Sequence, residues 1–313
     1  MTTKASLLTL GLSGFFMLSA GPAMAYTDIC TKPNISGVSK DSMTCLSKNL
    51  VLVYGENGPA AYDSKGKTII PANRYTYILQ ESEGLIAVAN ERDGDFSAGY
   101  ISPATGKQVI PLKYRSTGEY DIGINSFSEG LIALLNKEDK YGFLNTSGKT
   151  VIPFKYSDAD SFSEGLAAVS ISSYDKDGYA IDSKYGYIDK AGKTVVPFKY
   201  DYADSFSEGL AVVRQGTWDS GKWGVINKQG KTVIPLNLKH AIGKFSNGLD
   251  SVLRADDTYG FINTKGKLVI PYNYLIESYE GELPRFENGK ARVINKQGKS
   301  YCINTKGNKV SCD

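Results

Sequence analysis

From residue 49 onward, short apolar runs alternate with polar turn sequences along the whole chain. Typical runs lie at 185–188, 194–196 and 210–213, and they consist largely of β-branched, aromatic and other apolar residues. Short runs of this composition between Gly, Asn and Asp clusters are typical of β-strands. No stretch after residue 25 sustains the i, i+3, i+4, i+7 spacing of an amphipathic helix, so no helix beyond a turn or two is expected. The pattern predicts an all-β chain.

Three sequence blocks recur in a fixed order and divide the chain into about seven units. The first block is Ser-Glu-Gly-Leu, found at 82–85, 128–131, 163–166 and 207–210, with weaker copies at 246–249 and 287–290. The second is an aromatic residue, a glycine and an apolar pair, found at 141–144, 185–188, 223–226 and 259–262. The third runs from Gly-Lys to proline, at 66–71, 106–111, 148–153, 192–197, 230–235 and 266–271. Its prolines are 40, 42, 44, 38 and 36 residues apart, and a decayed seventh copy lies at 307–312.

Each block has a structural interpretation. In segments such as 189–193, Asp or Asn caps a bend and glycine takes the positive φ that closes a hairpin. Proline has no N–H, so strand pairing is expected to stop at the end of the third block. The tract after each proline, such as 198–206, forms either a fourth strand or a packed loop. A unit of about 40 residues cannot bury a core alone, so neighbouring units must stack.

The repeated blocks resemble those of the bacterial WG-repeat (KWG) proteins. The resemblance rests on Lys-Tyr-Gly at 140–142 and 184–186, Lys-Trp-Gly at 222–224, the following Gly-Lys-to-Pro block, and Phe-Ser-Glu-Gly-Leu-Ala. It covers roughly residues 49–313. Most copies carry Tyr in place of Trp, 59–60 and 98–99 lack the aromatic residue, and Cys302 interrupts the last copy. The resemblance implies an all-β repeat array used for interaction, and the family has no single shared activity.

Units of this length fit an open β-solenoid or a β-propeller. The first unit has its own leading strand at 50–53, and the last unit stops after its hairpin. The copies also run in phase from end to end. We therefore favour an open, curved array. Closure like that of a β-propeller is the alternative, because the tract after each proline could supply the fourth strand of a blade.

The N-terminus predicts export. Lys4, an apolar run at 7–18 and Ala-Met-Ala at 23–25 form a signal peptide pattern, with an uncleaved anchor helix as the less favoured alternative. Residues 1–25 are expected to be removed, leaving a cap segment at 26–48 and the repeat domain at 49–313. The first mature residue would be Tyr26, and the nearest cysteine, Cys30, lies too far past the cut for a lipid anchor. Membrane insertion after cleavage is not expected either. The protein is predicted to be periplasmic or secreted.

Four cysteines in an oxidising compartment favour disulfides. The simplest pairing joins Cys30 to Cys45 and Cys302 to Cys312, and the rival pairing would join the two termini. Lys and Arg number 36 against 33 Asp and Glu, and no long run has one sign, so nucleic acid is not an expected partner. No cofactor is expected.

Catalysis and metal binding are weakly supported. His240, the single histidine, is expected to be a loop residue, so a Ser-His-Asp or Cys-His arrangement has one candidate base. Acids near glycine at 93–95 and 175–178 do not continue into a full calcium-binding loop. The repeated glutamates of the first block, Glu83, Glu129, Glu164 and Glu208, occupy the same place in successive units, as a fold requirement would. We expect neither catalytic nor metal-binding residues.

Binding residues are expected where the repeat is broken. The insertion at 172–183 carries Tyr174 and Tyr179, and the excursion at 215–221 carries Trp218. The repeated residues Tyr141, Tyr185, Trp223 and Tyr259 are expected to form a core ladder, each covering its neighbouring glycine. The sequence predicts a non-enzymatic binding or scaffold protein with protein partners. A glycan-binding module using exposed aromatics and a carboxylate-dependent hydrolase are the alternatives.

Overall fold

The protein is built from small antiparallel sheets of consecutive strands. A computed structural model describes residues 30–93, 95–115, 125–177, 180–217, 220–238, 244–254, 256–276 and 283–312. Apart from a 3-10 turn at Lys40–Ser42, the regular structure of these residues is β, which confirms the predicted fold class. None of their helices is long and apolar enough to cross a membrane.

The strands form seven units, whose successive strands we call a, b, c and d. Unit 1 contains β1 (Met43–Ser47), β2 (Leu50–Gly55), β3 (Gly58–Asp63) and β4 (Thr68–Ile70). Unit 2 contains β5 (Tyr77–Ser82), β6 (Leu85–Arg92), β7 (Asp95–Ile101) and β8 (Gln108–Arg115). Unit 3 contains strands b to d, β9 (Leu131–Leu135), β10 (Tyr141–Asn145) and β11 (Thr150–Tyr156), and a bridge between Arg115 and Leu135 joins it to unit 2.

Units 4 and 5 show the complete four-stranded pattern. Unit 4 contains β12 (Asp158–Ala159), β13 (Leu166–Tyr174), β14 (Ala180–Asp189) and β15 (Thr194–Tyr200). Unit 5 contains β16 (Tyr202–Ala203), β17 (Leu210–Gln215), β18 (Lys222–Asn227) and β19 (Thr232–Leu238). Strands b to d of unit 6 are β20 (Leu249–Leu253), β21 (Thr258–Asn263) and β22 (Leu268–Leu275), and those of unit 7 are β23 (Lys290–Ile294), β24 (Ser300–Asn304) and β25 (Lys309–Val310). The tract after the proline thus supplies strand a in units 4 and 5.

In units 2 to 6 strand d continues past its proline, so the expectation that pairing stops there is wrong for these units, whereas in unit 1 strand d ends at Ile70, before Pro71. In unit 4, Val196 pairs with Tyr187 before the proline, and Tyr200 pairs with Tyr185 after it. The register shifts between these pairs, which places Pro197 in a β-bulge. A bulge tolerates proline because its residues leave the hydrogen-bonded ladder.

The glycine of the aromatic-glycine step makes this bulge fit. A Cβ atom on Gly186 would lie 2.6 Å from the Val196 carbonyl oxygen and 3.0 Å from the Phe198 nitrogen. Units 2, 3, 5 and 6 show the same crowding at their glycines, which are Gly99, Gly142, Gly224 and Gly260. Glycine is therefore required because the backbone of strand d passes directly over it.

The two terminal units lack this glycine and have a short strand d. Ala60 stands at the position in unit 1, where β4 has three residues, and Tyr301 stands there in unit 7, where β25 has two. The five units with glycine have a strand d of seven or eight residues. A side chain at this position thus coincides with loss of the bulged half of strand d.

The hydrophobic core lies between the sheets. Each pair of neighbouring units shares one buried cluster, and the six clusters include, in order, Ile86, Ile132, Phe162, Phe206, Ile262 and Phe286. Buried rings cross several junctions, as between Tyr187 and Phe206, whose centroids lie 4.7 Å apart. Each sheet therefore depends on its neighbours for burial.

Each end of the described array carries a capping feature that includes a disulfide. At the N-terminal end, Val51 and Val53 of unit 1 pack against the segment that contains Cys30, Ile35 and Val38. This segment is fixed by the Cys30–Cys45 disulfide, and the Cys302–Cys312 disulfide closes unit 7. The structure thus has the simpler of the two disulfide pairings. Residues 43–47, inside the predicted cap segment, belong to the first sheet.

The far face of unit 7 is polar where inner units are apolar. Lys290 and Arg292 occupy the positions that Leu210 and Val212 fill in unit 5, where they pack against unit 6. Within the described residues, no strand of unit 7 pairs with unit 1. A polar outer face is typical of a terminal repeat. The described part of the chain is therefore an open array.

Candidate functional site

The Ser-Glu-Gly-Leu blocks form tight two-residue turns between strands a and b. In unit 4, the N–H groups of Ser163 and Leu166 each donate to the carbonyl oxygen of the other residue. Glu164 and Gly165 both have positive φ, 54° and 86°, as a type I′ turn requires. Asn and Gly favour this conformation, whereas Glu is strained in it. A side-chain function must therefore favour Glu at this position.

That function is to join successive units. The Glu164 carboxylate accepts a hydrogen bond of 2.9 Å from the Gly209 N–H, which belongs to the next turn. Equivalent bonds lead from Gly130, Gly165 and Gly248 to Glu83, Glu129 and Glu208. The neighbouring serines donate to the carbonyl oxygen of the phenylalanine before the next turn, as from Ser163 to Phe206 at 2.7 Å. We call this row of glutamates and serines the turn clasp. Its hydrogen bonds give the repeated glutamates a structural role.

The repeated aromatic residues are largely structural as well. Trp223 and Tyr259 are buried, and Tyr141 and Tyr185 are half-buried. Tyr185 donates a hydrogen bond of 2.5 Å to the Asp158 carboxylate. These four side chains therefore do not form an exposed stacking surface.

Unit 4 departs most clearly from the repeat in the hairpin of β13 and β14. These strands have nine and ten residues, against five or six for strands b and c in units 3, 5, 6 and 7. Near the end of this hairpin, Ile171, Tyr174 and Ile181 are 48%, 46% and 66% exposed. Ile171 and Tyr174 are three residues apart on β13 and therefore lie on opposite faces of the hairpin. Isolated exposed apolar residues are ordinary, but this projection presents such residues on both faces.

Tyr174 is held against unit 3. The Lys140 ammonium donates a hydrogen bond of 2.8 Å to the Tyr174 hydroxyl and lies 4.6 Å from the centre of its ring. The Ser157 Oγ lies 3.4 Å from the same hydroxyl. These contacts, chiefly the bond from Lys140, lower the pKa of Tyr174. The predicted binding residue Tyr174 is thus exposed and fixed in position.

A polar cleft of about 390 Å³ lies between units 4 and 5, close to the base of this hairpin. Three carboxylates line it, those of Asp158, Asp160 and Asp204, together with Tyr185 and Tyr202. Asp158 stands where unit 5 has Tyr202, so it breaks the repeat. Its carboxylate accepts hydrogen bonds from the Tyr185 hydroxyl and the Ala159 N–H.

The other two carboxylates of the cleft have different surroundings. Asp204 pairs with the Lys244 ammonium at 3.1 Å, whereas Asp160 accepts one bond of 3.2 Å from the Ser205 hydroxyl. Burial of its carboxyl group and the negative charge of Asp158 raise the pKa of Asp160 to about 6. Asp160 is nevertheless an exposed residue, and water screens part of this effect. The cleft thus holds one carboxyl group, that of Asp160, whose pKa lies above the ordinary value of an aspartate.

Several residues singled out from the sequence lie outside the described residues. They are Tyr179, Trp218, His240 and the predicted signal peptide, residues 1–25. In the described part of the candidate calcium loops, the Asp175 carboxylate accepts a hydrogen bond from the Asp177 N–H, which is a turn contact. No group of three or more metal-ligating side chains was found among the described residues.

The sequence did not reveal the cleft. Asp158 and Asp160 belong to unit 4, whereas Lys244 lies between β19 and β20, 84 residues after Asp160. Only the stacking of the units brings these residues together. One signal was present: Asp158 replaces the tyrosine of the next copy. A position-by-position comparison of the tracts after the prolines would have marked it.

The sequence matches the family described as "WG containing repeat" at residues 61–91, 141–174, 185–217, 223–249 and 259–276. No curated protein matches the chain. Among similar solved structures, BamB from Moraxella catarrhalis is 12% identical, with 86% of this chain and 81% of that chain covered and a TM-score of 0.43.

The β-propeller domain of the Trilobed protease from Pyrococcus furiosus, which has an open velcro topology, is 9% identical; 83% of this chain and 92% of that chain are covered, and the TM-score is 0.41. Hsv2p from Kluyveromyces lactis is 9% identical, with 83% and 90% covered and a TM-score of 0.42. These likenesses concern the fold alone. The first four matched segments each run from strand c of one unit to strand b of the next, and the fifth covers strands c and d of unit 6. The chain belongs to the family of WG-repeat proteins.

Proposed function

We propose that this protein is a non-enzymatic binding or scaffold module whose partner is a protein of the cell envelope or the extracellular space. The observation that carries the proposal is the projecting hairpin of unit 4, with exposed Ile171, Tyr174 and Ile181. Loops and projections on a rigid scaffold are common binding sites, and apolar and aromatic residues are common interface anchors. The contact from Lys140 fixes Tyr174, which lowers the ordering cost of binding.

The proposed location rests on the signal peptide pattern at residues 1–25 and agrees with two disulfides in the folded chain. Export predicts that the mature protein begins at Tyr26. Sequencing the N-terminus of the protein isolated from its cells tests this. Recovery of the intact Met1 terminus on a membrane-bound chain would refute cleavage.

The binding proposal is tested by cross-linking and capture from envelope and culture-supernatant fractions of the source cells. The test compares the wild type with the double variant Ile171→Ser and Ile181→Ser. A matched control changes Val151 and Val195 to Ser, because these valines are 38% and 37% exposed away from the hairpin. We expect one partner to be lost with the hairpin variant and retained with the control. Equal recovery with all three proteins would contradict the proposal.

A carboxylate-dependent hydrolase is the second candidate, and the cleft between units 4 and 5 is the observation that favours it. General acid catalysis by a carboxyl group is favoured by a raised pKa and uses a second carboxyl group beside it, and Asp160 has both a raised pKa and Asp158 as a neighbour. Turnover of a panel of glycoside and ester substrates that disappears in Asp160→Asn would support this candidate. Wild-type protein without turnover on that panel counts against it.

A further inference from the structure

The fold sorts charges that are interspersed along the sequence. Strands b and c are antiparallel, so the turn before strand b and the turn after strand c lie at the same end of each sheet. Contacts between units confirm this: the Lys190 ammonium, after strand c of unit 4, lies 2.9 Å from the carboxylate of Glu129, before strand b of unit 3. The turns after strand c of all seven units therefore line one edge of the array.

These seven turns are strongly basic. They span 63–67, 102–107, 145–149, 189–193, 227–231, 263–267 and 304–308 and contain eleven lysines against two aspartates. The Oδ1 atoms of both aspartates, Asp63 and Asp189, accept hydrogen bonds from backbone N–H groups of their own turns. We call this edge the lysine ridge.

Six lysines of the ridge form a single file. One exposed lysine follows the turn glycine in each of units 1 to 6: Lys67, Lys107, Lys149, Lys193, Lys231 and Lys267. Packed sheets are about 10 Å apart, so the file presents one cation at roughly this interval. None of the ion pairs found among the described residues involves these six ammonium groups.

The same end of the sheets also carries the four glutamates of the turn clasp, of which Glu83 and Glu208 accept the N–H groups of Gly130 and Gly248. Glu129 and Glu164 accept backbone N–H groups and pair with Lys190 and Lys228, which stand beside the file. The loops joining strands b and c, at the opposite end of the sheets, carry acids such as Asp177. The chain has a formal net charge of only +3, so the ridge is a local feature.

We propose that the lysine ridge binds a linear anionic polysaccharide along the array. Regularly spaced cations attract a polymer with regularly spaced anions, and the release of bound counterions drives the association. The seven turns contain no arginine and no aromatic residue. Stacking on single-stranded nucleic acid relies on aromatic residues, and Arg is prominent in reading the base edges of duplexes. The chemistry of the ridge thus suits a charged chain without bases.

The test measures binding of fluorescently labelled polygalacturonate to the mature protein, with neutral dextran and a short DNA duplex as comparison probes. The ridge variant combines Lys149→Glu, Lys193→Glu and Lys231→Glu, which leaves the paired lysines in place. We expect affinity for polygalacturonate to fall roughly tenfold or more, and the salt dependence of log Kd to weaken by about one for each lysine replaced.

The matched control carries the same change of charge at the opposite end of the sheets, through Lys137→Glu, Lys176→Glu and Lys296→Glu. These lysines are exposed and lie in loops between strands b and c. The control should retain wild-type affinity, and circular dichroism should show that both variants fold. Absence of polygalacturonate binding at low salt, equal loss in both variants, or tighter binding of DNA than of polygalacturonate would each overturn the proposal.

Discussion

The substitution Gly186→Ala tests whether the glycine of the aromatic-glycine step exists to let strand d pass. The added Cβ would lie 2.6 Å from the Val196 carbonyl oxygen, whereas ordinary contact begins at 3.4 Å. Strand d must therefore move by about 0.8 Å. The Pro197 carbon and the Phe198 nitrogen lie 3.1 and 3.0 Å away, and all three are backbone atoms, so no side-chain rotation relieves the contact.

The expected cost follows from what strand d carries. Forcing an extra carbon into a packed interior costs about 1–3 kcal/mol. If strand d lifts instead, Tyr200, which is 1% exposed, loses part of a burial worth about 1.5–3 kcal/mol, together with hydrogen bonds worth about 1 kcal/mol each. The two routes together predict a loss of about 2–3 kcal/mol in the free energy of unfolding. Urea denaturation followed by circular dichroism measures this loss.

Two control variants separate contact from backbone conformation. Gly165 has a φ of 86° and no atom within 4 Å of an added Cβ. Gly165→Ala should therefore cost only the energy of placing alanine in the left-handed conformation, which is about 1–2 kcal/mol. Ala60→Gly, in the unit that naturally lacks the glycine, should cost about 1 kcal/mol or less. Hydrogen exchange should show faster exchange at residues 198–200 in Gly186→Ala alone. A Gly186→Ala protein within about 0.5 kcal/mol of the wild type, with unchanged exchange there, would refute the reasoning.

Three further predictions concern the turn clasp, the cleft and the C-terminal end. Glu208→Ala removes the carboxylate bonded to the Gly248 N–H and should cost about 1–2 kcal/mol in urea denaturation, whereas an unchanged midpoint would contradict the clasp. Asp160 has a pKa raised to about 6, so folding takes up a proton between pH 4 and 6 and stability falls as pH rises through this window; Asp160→Asn should raise the melting temperature at pH 7.5 but not at pH 3.5, and equal effects at both would contradict it. Replacing Cys302 and Cys312 with Ser removes a disulfide that closes a short loop and should cost about 2–3 kcal/mol, with exchange increasing first in unit 7; uniform exchange along the array would contradict a local role.

Much of the fold could be predicted because the repeat shows which residues every unit needs. The strand composition, the turn glycines and the paired cysteines act within a few residues of each other. The path of strand d through Pro197 could not be predicted, because proline both ends strands and occupies bulges, and only the crowding at Gly186 separates the two cases.

The site was less accessible to sequence reasoning than the fold. The insertion containing Tyr174 was visible as a break in the repeat, and the structure places that residue on an exposed hairpin. The cleft and the lysine ridge depend on how neighbouring sheets are oriented relative to each other. This orientation is known only once the units are stacked. The ridge lysines were present in the Gly-Lys block from the start, but their alignment into one edge follows from the antiparallel order of strands b and c.

The turn clasp also makes the contacts between units directional along the chain. Every glutamate and serine of the clasp reaches from its own unit to the next one toward the C-terminus. A chain that emerges from a ribosome or a translocation channel with its N-terminus first therefore presents each carboxylate before the N–H group it accepts has been delivered. When the next unit has been synthesised, the hydrogen-bond acceptor for its turn is already in place on the preceding unit. The units can therefore fold one after another, from the N-terminus to the C-terminus.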